Sequence, residues 1–368
     1  MKRKASDTDL PTKHLVADAV GPLSFEALSQ LNCQQASLAK MARTARTKAN
    51  RHPVAPRSLE DLVLTPDYIR TNKGETFLLW DSTYSAERRR SFLFGTVDNM
   101  DLLSQAPHLF IDGTFSTSPN LFTQMVTIHG LYPDGWRIPL AYGLLPGKTQ
   151  AHYEALLDEI AAFGVDPQSV LSDYERALIN AVEVTWPTTT KRGCFFHHKQ
   201  ALWRKLQQHD LVPEYNAENS AVRKAFQMMG AIAFVDLGDV LDTWMQLRPT
   251  LPPEMESFAD YYQRTWVGTD TTSPLYSHWI WNQRDAVMAG RPRSSNTAEG
   301  WHNGFRSLMG CTNPTIWRFI DVLKKEQDLT DWKIAQKLMR QPPPPRQKKW
   351  LDYDRRLNAA IDEYDKYD

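Results

Sequence analysis

The stretch HLFIDGTF, residues 108–115, decides the fold of this 368-residue chain. Its apolar run Leu109–Ile111 is typical of a buried strand, which Asp112 and Gly113 end. Two further strand-like runs follow, FTQMVTIHGLYP and WRIPLAYGLLPG, and each stops at a short turn that contains Pro and Gly. Loops this short favour three neighbouring antiparallel strands.

Helical and strand-like segments alternate after these three strands. Residues 149–164 have apolar side chains at helical spacing, QSVLSD is a fourth strand, and YERALINAVEVTW is a second helix. KRGCFF is a fifth strand and leads directly into the helix HHKQALWRKLQQH. The order β-β-β-α-β-α-β-α predicts an α/β fold, a mixed five-stranded sheet flanked by helices in the order of a ribonuclease H-like domain.

Composition and pattern divide the chain into six predicted segments. They are a basic N-terminal segment, partly disordered or helical (1–60); a strand pair and lead-in (61–105); the first part of the ribonuclease H-like core (106–209); an all-helical insertion (210–290); the last part of the core (291–340); and a Pro-rich break with a charged tail (341–368).

The charge, the cysteine count and the apolar runs argue against a strongly basic, a disulfide-stapled and a membrane-spanning protein. Lys+Arg and Asp+Glu both number 43, so the net charge is near zero and does not by itself indicate nucleic acid. The first 60 residues hold ten basic and five acidic residues, a surplus that fits either phosphate binding or a solvated helix. Three cysteines make no disulfide framework, and no apolar run is long enough to span a membrane.

Two acidic residues follow strands that we expect to be neighbours. Asp112 follows the first strand and Asp173 the fourth, so their carboxylates should meet at one edge of the sheet. Carboxylate oxygens are the ligands that Mg²⁺ and Mn²⁺ prefer. Two such ions, about 4 Å apart, would stabilise both attack and departure in a phosphodiester transfer.

A third acid is predicted on a helix that begins near Asn296. Glu299, His302, Asn303 and Arg306 are spaced i, i+3, i+4 and i+7, so they share one polar face. The apolar residues of the opposite face, Trp301, Phe305, Leu308 and Met309, would pack on the sheet. His302 and Arg306 are candidates to orient the scissile phosphate.

Each acid also has a purely structural interpretation. Asp112 before Gly113 suits an Asx-type turn. Asp173 lies within Ser172-x-x-Glu175, which has the spacing of a helix capping box, and Asn296 with Glu299 fits an N-cap pair. On this strand order, the three acids together favour the metal site over the separate structural roles.

The segment GCFFHHKQALWRK contains a Cys194-x-x-His197 pair. A closed zinc site needs a second pair with matching spacing, and neither Cys33 nor Cys311 has a His or Cys three residues away. Zinc is therefore not expected. His198 and Arg204, with Lys205, are predicted to extend a basic surface that contacts phosphate.

Five motifs in order, FIDGTF, YGLLPGKTQAHYEALL, LSDYERALINAV, GCFFHHKQALWRK and NTAEGWHNGF, resemble the transposase domain of Mutator-like elements over roughly residues 55–320. The resemblance implies a ribonuclease H-like core interrupted by a helical insertion. It also implies an Asp-Asp-Glu triad, here Asp112, Asp173 and Glu299, that binds two divalent cations. Cys194 and His197 match a Cys-x-x-His motif that supports the core and DNA handling.

One departure concerns the N-terminus, where related proteins often carry a zinc finger that reads element ends. The first 60 residues contain only Cys33, with His14 and His52, so no such finger is expected in them. The chain is then either a truncated element product or one that uses plain basic helices.

The expected function is a metal-dependent DNA transposase in the nucleus. The resemblance implies that it cleaves DNA at the terminal inverted repeats of an element and transfers a 3′-hydroxyl to target DNA. A homodimer suits the joining of two element ends. One alternative is a domesticated, non-catalytic DNA-binding or regulatory protein, and another is a nuclease of RNA–DNA hybrids, which the helical insertion disfavours.

Overall fold

The fold was analysed in a computed structural model of the chain. The structure describes residue 2 and residues 12–20, 22–24, 35–49, 52–82, 90–293 and 296–364. Within these ranges, the side chains of several helical residues, Glu299 among them, lie outside the description. Much of the basic N-terminal segment therefore lies outside the described residues.

A seven-stranded mixed sheet forms the centre of the protein. Its spatial order is β1-β2-β5-β4-β3-β6-β7. The pairs β1-β2, β2-β5, β5-β4 and β4-β3 are antiparallel. The strand β6 pairs with β3 in parallel, and β7 pairs with β6 in parallel. The strands are β1 (Leu78–Asp81), β2 (Phe92–Phe94), β3 (His108–Thr114), β4 (Gln124–Leu131), β5 (Arg137–Leu145), β6 (Ser169–Ser172) and β7 (Thr190–Gly193).

The predicted mixed α/β sheet flanked by helices is confirmed. The five predicted strands are consecutive in space as β5-β4-β3-β6-β7. The strand pair before the core adds β1 and β2 beyond β5, which raises the number of strands from five to seven. The first and fourth predicted strands are neighbours, with Phe110 of β3 opposite Leu171 of β6.

Helices cover both faces of the sheet because side chains alternate along each strand. Leu109, Ile111 and Ile128 belong to the core on one face, where the helices α4, α5 and α6 pack. Met125 and Tyr142 belong to the core on the other face, under α14 and α15. These helices are α4 (Val97–Ser104), α5 (Gln150–Ala161), α6 (Arg176–Thr185), α14 (Asn296–Met309) and α15 (Ile316–Leu338).

The chain from β7 to α14 is helical and has a hydrophobic core of its own. Aromatic residues dominate that core, including Phe226, Trp244, Phe258 and Trp266. The boundaries of the predicted insertion stay a prediction. The helices are α7 (Phe195–Gln208), α8 (Val212–Asn216), α9 (Ala221–Ala231), α10 (Val240–Leu247), α11 (Glu256–Tyr262), α12 (His278–Trp281) and α13 (Arg284–Met288).

The segment after the polyproline stretch is a helix, α16 (Lys348–Tyr364), which packs on α13. Ile361 is buried, Asp354 pairs with Arg293, and the Tyr364 hydroxyl donates to Asp239 over 2.8 Å. Near the N-terminus, the short helices α1 (Thr12–Val20) and α2 (Gln35–Ala49) pack together, and α3 (Pro66–Ile69) precedes β1. In the described ranges, no helix is long and apolar enough to cross a bilayer.

Candidate functional site

Asp112 and Asp173 reach the same edge of the sheet. Asp112 lies in β3, and Asp173 directly follows β6, the parallel neighbour of β3. The strand β3 continues through Gly113 and Thr114, which pair with β4, so the expected turn after Asp112 is not formed. A Cβ at Gly113 would lie 2.8 Å from the side-chain oxygen of Gln124, so a larger residue there would make that side chain shift.

An open cavity of about 650 Å³ lies over this edge. Six of the predicted site residues line it: Asp112, Asp173, His197, Arg204, His302 and Arg306. The sheet, the helix α7 and the helix α14 therefore bring carboxylates and basic side chains to one place. Thr114, Phe115, Tyr174, Glu175, Phe196, Gln200 and Asn303 also line the cavity.

The carboxylate of Asp112 faces a histidine from α14. Oδ2 of Asp112 lies 2.9 Å from Nε2 of His302, within ion-pair distance although the two groups are not aligned for a hydrogen bond. Asp112 is 8% exposed and His302 is 9% exposed. A carboxylate this far from water needs a positive or hydrogen-bonding neighbour, and His302 lies where such a neighbour is needed.

Asp173 forms a local turn rather than the predicted capping box. Its Oδ1 accepts a hydrogen bond from the backbone N–H of Glu175 over 3.2 Å. Ser172 instead donates to the carbonyl of Asp173, and α6 begins only at Arg176, with Glu175 as its N-cap. The capping interpretation of Ser172 was therefore wrong.

The two carboxylates also interact electrostatically. Burial and the neighbouring charge of Asp112 raise the pKa of Asp173, while the Glu175 N–H and His197 act in the opposite direction. Like charges at one sheet edge disfavour each other unless a cation lies between them. The donor chemistry of this pair thus fits Mg²⁺ or Mn²⁺.

The third predicted ligand, Glu299, lies on α14 three residues before His302. Its side chain lies outside the described residues. Within the described part of the chain, no group of three or more His, Cys, Asp or Glu side chains is arranged to hold a metal ion. The carboxylates of Asp112 and Asp173 would need a ligand such as Glu299 to complete a site.

Helix α14 is held on the sheet by Trp301. The Trp301 indole N–H donates to the buried carboxylate of Glu326 on α15 over 2.6 Å. Its ring stacks with Tyr142 of β5 and with Phe305, at centroid distances of 5.7 and 5.0 Å. This anchor fixes the face that carries His302 and Arg306. Leu308, predicted to pack on the sheet, is partly exposed instead.

Cys194 and His197 form a local pair at the start of α7. Cys194 is fully buried as the N-cap residue of this helix. Burial lowers the pKa of His197, but the hydrogen bond and charge of Cys194 and the charges of Asp112 and Asp173 raise it more, to about 9. At neutral pH, a cationic imidazole therefore lines the cavity beside the two acids.

His198 does not extend the predicted basic surface. It is 0% exposed and packs among Trp266, Trp281 and Phe195, with the Trp266 ring 4.4 Å away. Burial lowers its pKa to about 3, so it is neutral near pH 7. Phosphate contact by His198 is contradicted, because the side chain turns toward the helical core while Arg204 stays exposed.

Two exposed rings at the cavity, Phe115 and Phe196, were not singled out as site residues. Both lie within the motifs FIDGTF and GCFFHHKQALWRK, beside residues that were. The sequence did offer a signal for them, because each ring lies within three residues of a predicted polar site residue, Asp112 or His197.

Comparison with known proteins finds a family model that matches part of the site. Residues 108–201 match the family model of the MULE transposase domain. A curated relative, the transposase for insertion sequence element IS905 of Lactococcus lactis subsp. lactis, is 26% identical over 106 residues. That match covers 28% of this chain and 27% of the relative, so the chain spans about a quarter of the length of the relative it matches.

A solved structure, the Drosophila P element transposase strand transfer complex, aligns with 93% of this chain and 87% of its own. The sequences are 10% identical and the TM-score is 0.24. The family match includes Asp112, Asp173, Cys194 and His197 and stops before Glu299. Residues 108–201 of this chain are therefore similar to the MULE transposase domain.

Proposed function

We propose that this protein cleaves and joins DNA strands in a divalent-metal-dependent reaction of the transposase type. The observation that carries the proposal is that Asp112 and Asp173, on neighbouring parallel strands, open on one cavity that basic side chains also line. The MULE transposase domain match over these residues supports it. The metal ligands would be Asp112, Asp173 and Glu299.

The protein's own groups have distinct tasks in this reaction. His302 holds the Asp112 carboxylate in place, and the Glu175 N–H holds that of Asp173. The exposed guanidinium groups of Arg204 and Arg306 would bind the phosphate from two helices. A bound pair of Mg²⁺ or Mn²⁺ ions would activate the attacking water or 3′-hydroxyl and stabilise the leaving oxygen.

The substrates proposed are the terminal inverted repeats of an element and a target DNA. Joining two ends to one target suits a homodimer, and a DNA substrate of this kind suits the nucleus. The curated relative is itself a transposase of an insertion sequence, which agrees with a mobile-element substrate.

A nicking and strand-transfer assay with Mn²⁺ tests the proposal. The variants Asp112→Asn and Asp173→Asn keep the shape of the side chain and lose its charge, so each should abolish product formation. Asp166→Asn is the matched control, because Asp166 is exposed in the turn before β6 and away from the cavity. Unchanged activity in Asp112→Asn would sink the assignment.

A domesticated DNA-binding protein without turnover is the second candidate. The contact between His302 and Asp112 favours it, since Oδ2 of that carboxylate already has a neighbour at 2.9 Å. Calorimetry with Mn²⁺ and DNA binding over a salt series separate the two functions. Metal and DNA binding without cleavage of any DNA or RNA–DNA hybrid would favour the domesticated protein.

A further inference from the structure

Two exposed phenylalanines line the cavity that also holds Asp112 and Asp173. Phe115 is 46% exposed and follows Asp112 by three residues, and Phe196 is 38% exposed and directly precedes His197. A single exposed apolar side chain needs no explanation in a folded protein. Two aromatic rings that approach one cavity from different elements, the end of β3 and the start of α7, form a common surface.

The rings of Phe115 and Phe196 are exposed to solvent, whereas the ring of Tyr174, a third aromatic residue of the cavity, is packed against other rings. Tyr174 also lines the cavity, but its ring packs edge-on against Trp266 and Tyr276 at 4.9 and 5.2 Å. Phe196 has an edge contact with the His197 ring at 5.5 Å and remains open to solvent. Tyr174 therefore belongs to the helical core, whereas Phe115 and Phe196 face outward.

Basic groups accompany the two rings. The Lys148 ammonium lies 3.7 Å from the centroid of Phe115, and Arg204 and Arg306 line the same cavity. Flat apolar rings together with cations are the chemistry that holds unpaired nucleic-acid strands, because the rings stack on bases and the cations meet phosphates. An intact duplex keeps the faces of its bases stacked inside, so it offers groove edges, sugars and phosphates to such rings but no base face to stack on.

We propose that this cavity takes DNA whose bases are unpaired beside the reacting phosphate, and that Phe115 and Phe196 stack on those bases. The inference rests on the proposed function, since it specifies the form of DNA that the same site accepts. Lys148, Arg204 and Arg306 then neutralise the phosphates that flank the unstacked bases. Asp112 is nearly buried, so its carboxylate is not part of this stacking surface.

Binding of three DNA probes without divalent metal tests the inference. The probes share one sequence and carry 2-aminopurine in a single strand, in an unpaired bubble and in a perfect duplex. Phe115→Leu and Phe196→Leu keep an apolar side chain and remove the ring, and Phe115→Trp and Phe196→Trp restore a ring. Trp332→Leu is the control, because Trp332 is highly exposed on α15 and does not line the cavity.

The wild-type protein should bind the single strand and the bubble more tightly than the duplex and should quench their 2-aminopurine fluorescence. Each Leu variant should weaken binding of the unpaired probes roughly tenfold, with little effect on the duplex. The Trp variants should restore binding, and Trp332→Leu should behave as wild type. Equal losses on duplex and single strand, or no loss at all, would overturn the inference.

The outcome is separable from that of the proposed function. If Asp112→Asn abolishes nicking while the Leu variants keep the wild-type preference for unpaired DNA, the stacking role is wrong and the catalytic proposal stands. If no metal supports cleavage but the Leu variants lose that preference and the Trp variants regain it, stacking is supported and the catalytic proposal fails. Because both rings are exposed, thermal melting should show all four variants folded.

Discussion

Nε2 of His302 lies 2.9 Å from Oδ2 of Asp112, which joins helix α14 to the strand β3 at the candidate site. Both side chains are nearly buried, so the contact replaces water on each group. Since Glu299 lies on the same helix, this contact and the Trp301 anchor determine where the backbone of the third predicted ligand lies.

Removal of His302 should destabilise the protein because it leaves the buried Asp112 carboxylate without its neighbour. We expect His302→Ala to lower the free energy of unfolding by about 1–3 kcal/mol. Urea denaturation at pH 7 measures the change, and hydrogen exchange should show faster opening of α14. Asn303→Ala is the control, because Asn303 directly follows His302 on the same helix and its side chain is exposed. Equal stability of the two variants would contradict a role for the contact.

Asp173 should cost stability at neutral pH in the absence of metal. Burial and the charge of Asp112 raise the pKa of Asp173 in the folded protein. The stability that Asp173 contributes is therefore present below its pKa in the unfolded chain, and it is lost as pH rises through its pKa in the folded protein. Asp173→Asn removes the charge and keeps an oxygen for the Glu175 N–H. It should therefore raise Tm by about 1–3 °C at pH 7.

The gain from Asp173→Asn should shrink at acidic pH, where Asp173 itself is protonated and neutral. If the proposed metal site is correct, added Mn²⁺ should raise the Tm of the wild-type protein more than that of the variant, because an ion that binds only the native state stabilises it. Calorimetric melts from pH 4 to 8, with Asp166→Asn as the control, check both statements. A lower Tm for Asp173→Asn at pH 7 would refute them.

Local pattern predicted the strands and the meeting of Asp112 with Asp173, because apolar runs and tight turns specify a meander whose order brings both acids to one edge. The place of β2 beside β5 was not predictable in this way, since it depends on pairing between distant segments. Gly113 was interpreted as part of a turn. Its close approach to Gln124 could not be seen in the local pattern, because Gln124 belongs to another strand.

The burial of His198 was accessible from the sequence. Leu202 and Leu206 follow it at helical spacing and are buried with it, so the periodicity of α7 puts His198 on the apolar face. Two adjacent histidines in a basic segment were instead taken as one surface. The side chain of Glu299 lies outside the described residues, and its role stays a prediction.

His198 and Arg204 should respond to substitution in opposite ways. His198→Phe keeps a ring among Trp266 and Trp281 and removes two buried nitrogens that have no hydrogen-bond partner in the described structure. The variant should fold, match or exceed wild-type stability by up to about 1–2 kcal/mol, and bind DNA normally.

Arg204→Ala should keep the fold and weaken DNA binding, because its exposed guanidinium lines the cavity. The salt dependence of binding should also fall by about one phosphate contact. Fluorescence anisotropy over a salt series, with urea denaturation of the same samples, compares the two variants. Loss of DNA binding in His198→Phe at unchanged stability would restore the surface role that the structure contradicts.

His197 should be protonated well above the pH at which an ordinary histidine loses its charge. Its pKa is raised to about 9 because Cys194, Asp112 and Asp173 outweigh the effect of burial. The stability that protonated His197 contributes should therefore be complete below pH 6.5 and be lost as pH rises through about 9. The free energy of unfolding of His197→Gln should differ most from that of the wild type at low pH.

An NMR titration should place the midpoint of His197 near pH 9, and Cys194→Ser should lower that midpoint. His198 should not titrate above pH 5. A His197 midpoint at or below 6.5 would show that the acids and Cys194 do not act on this ring.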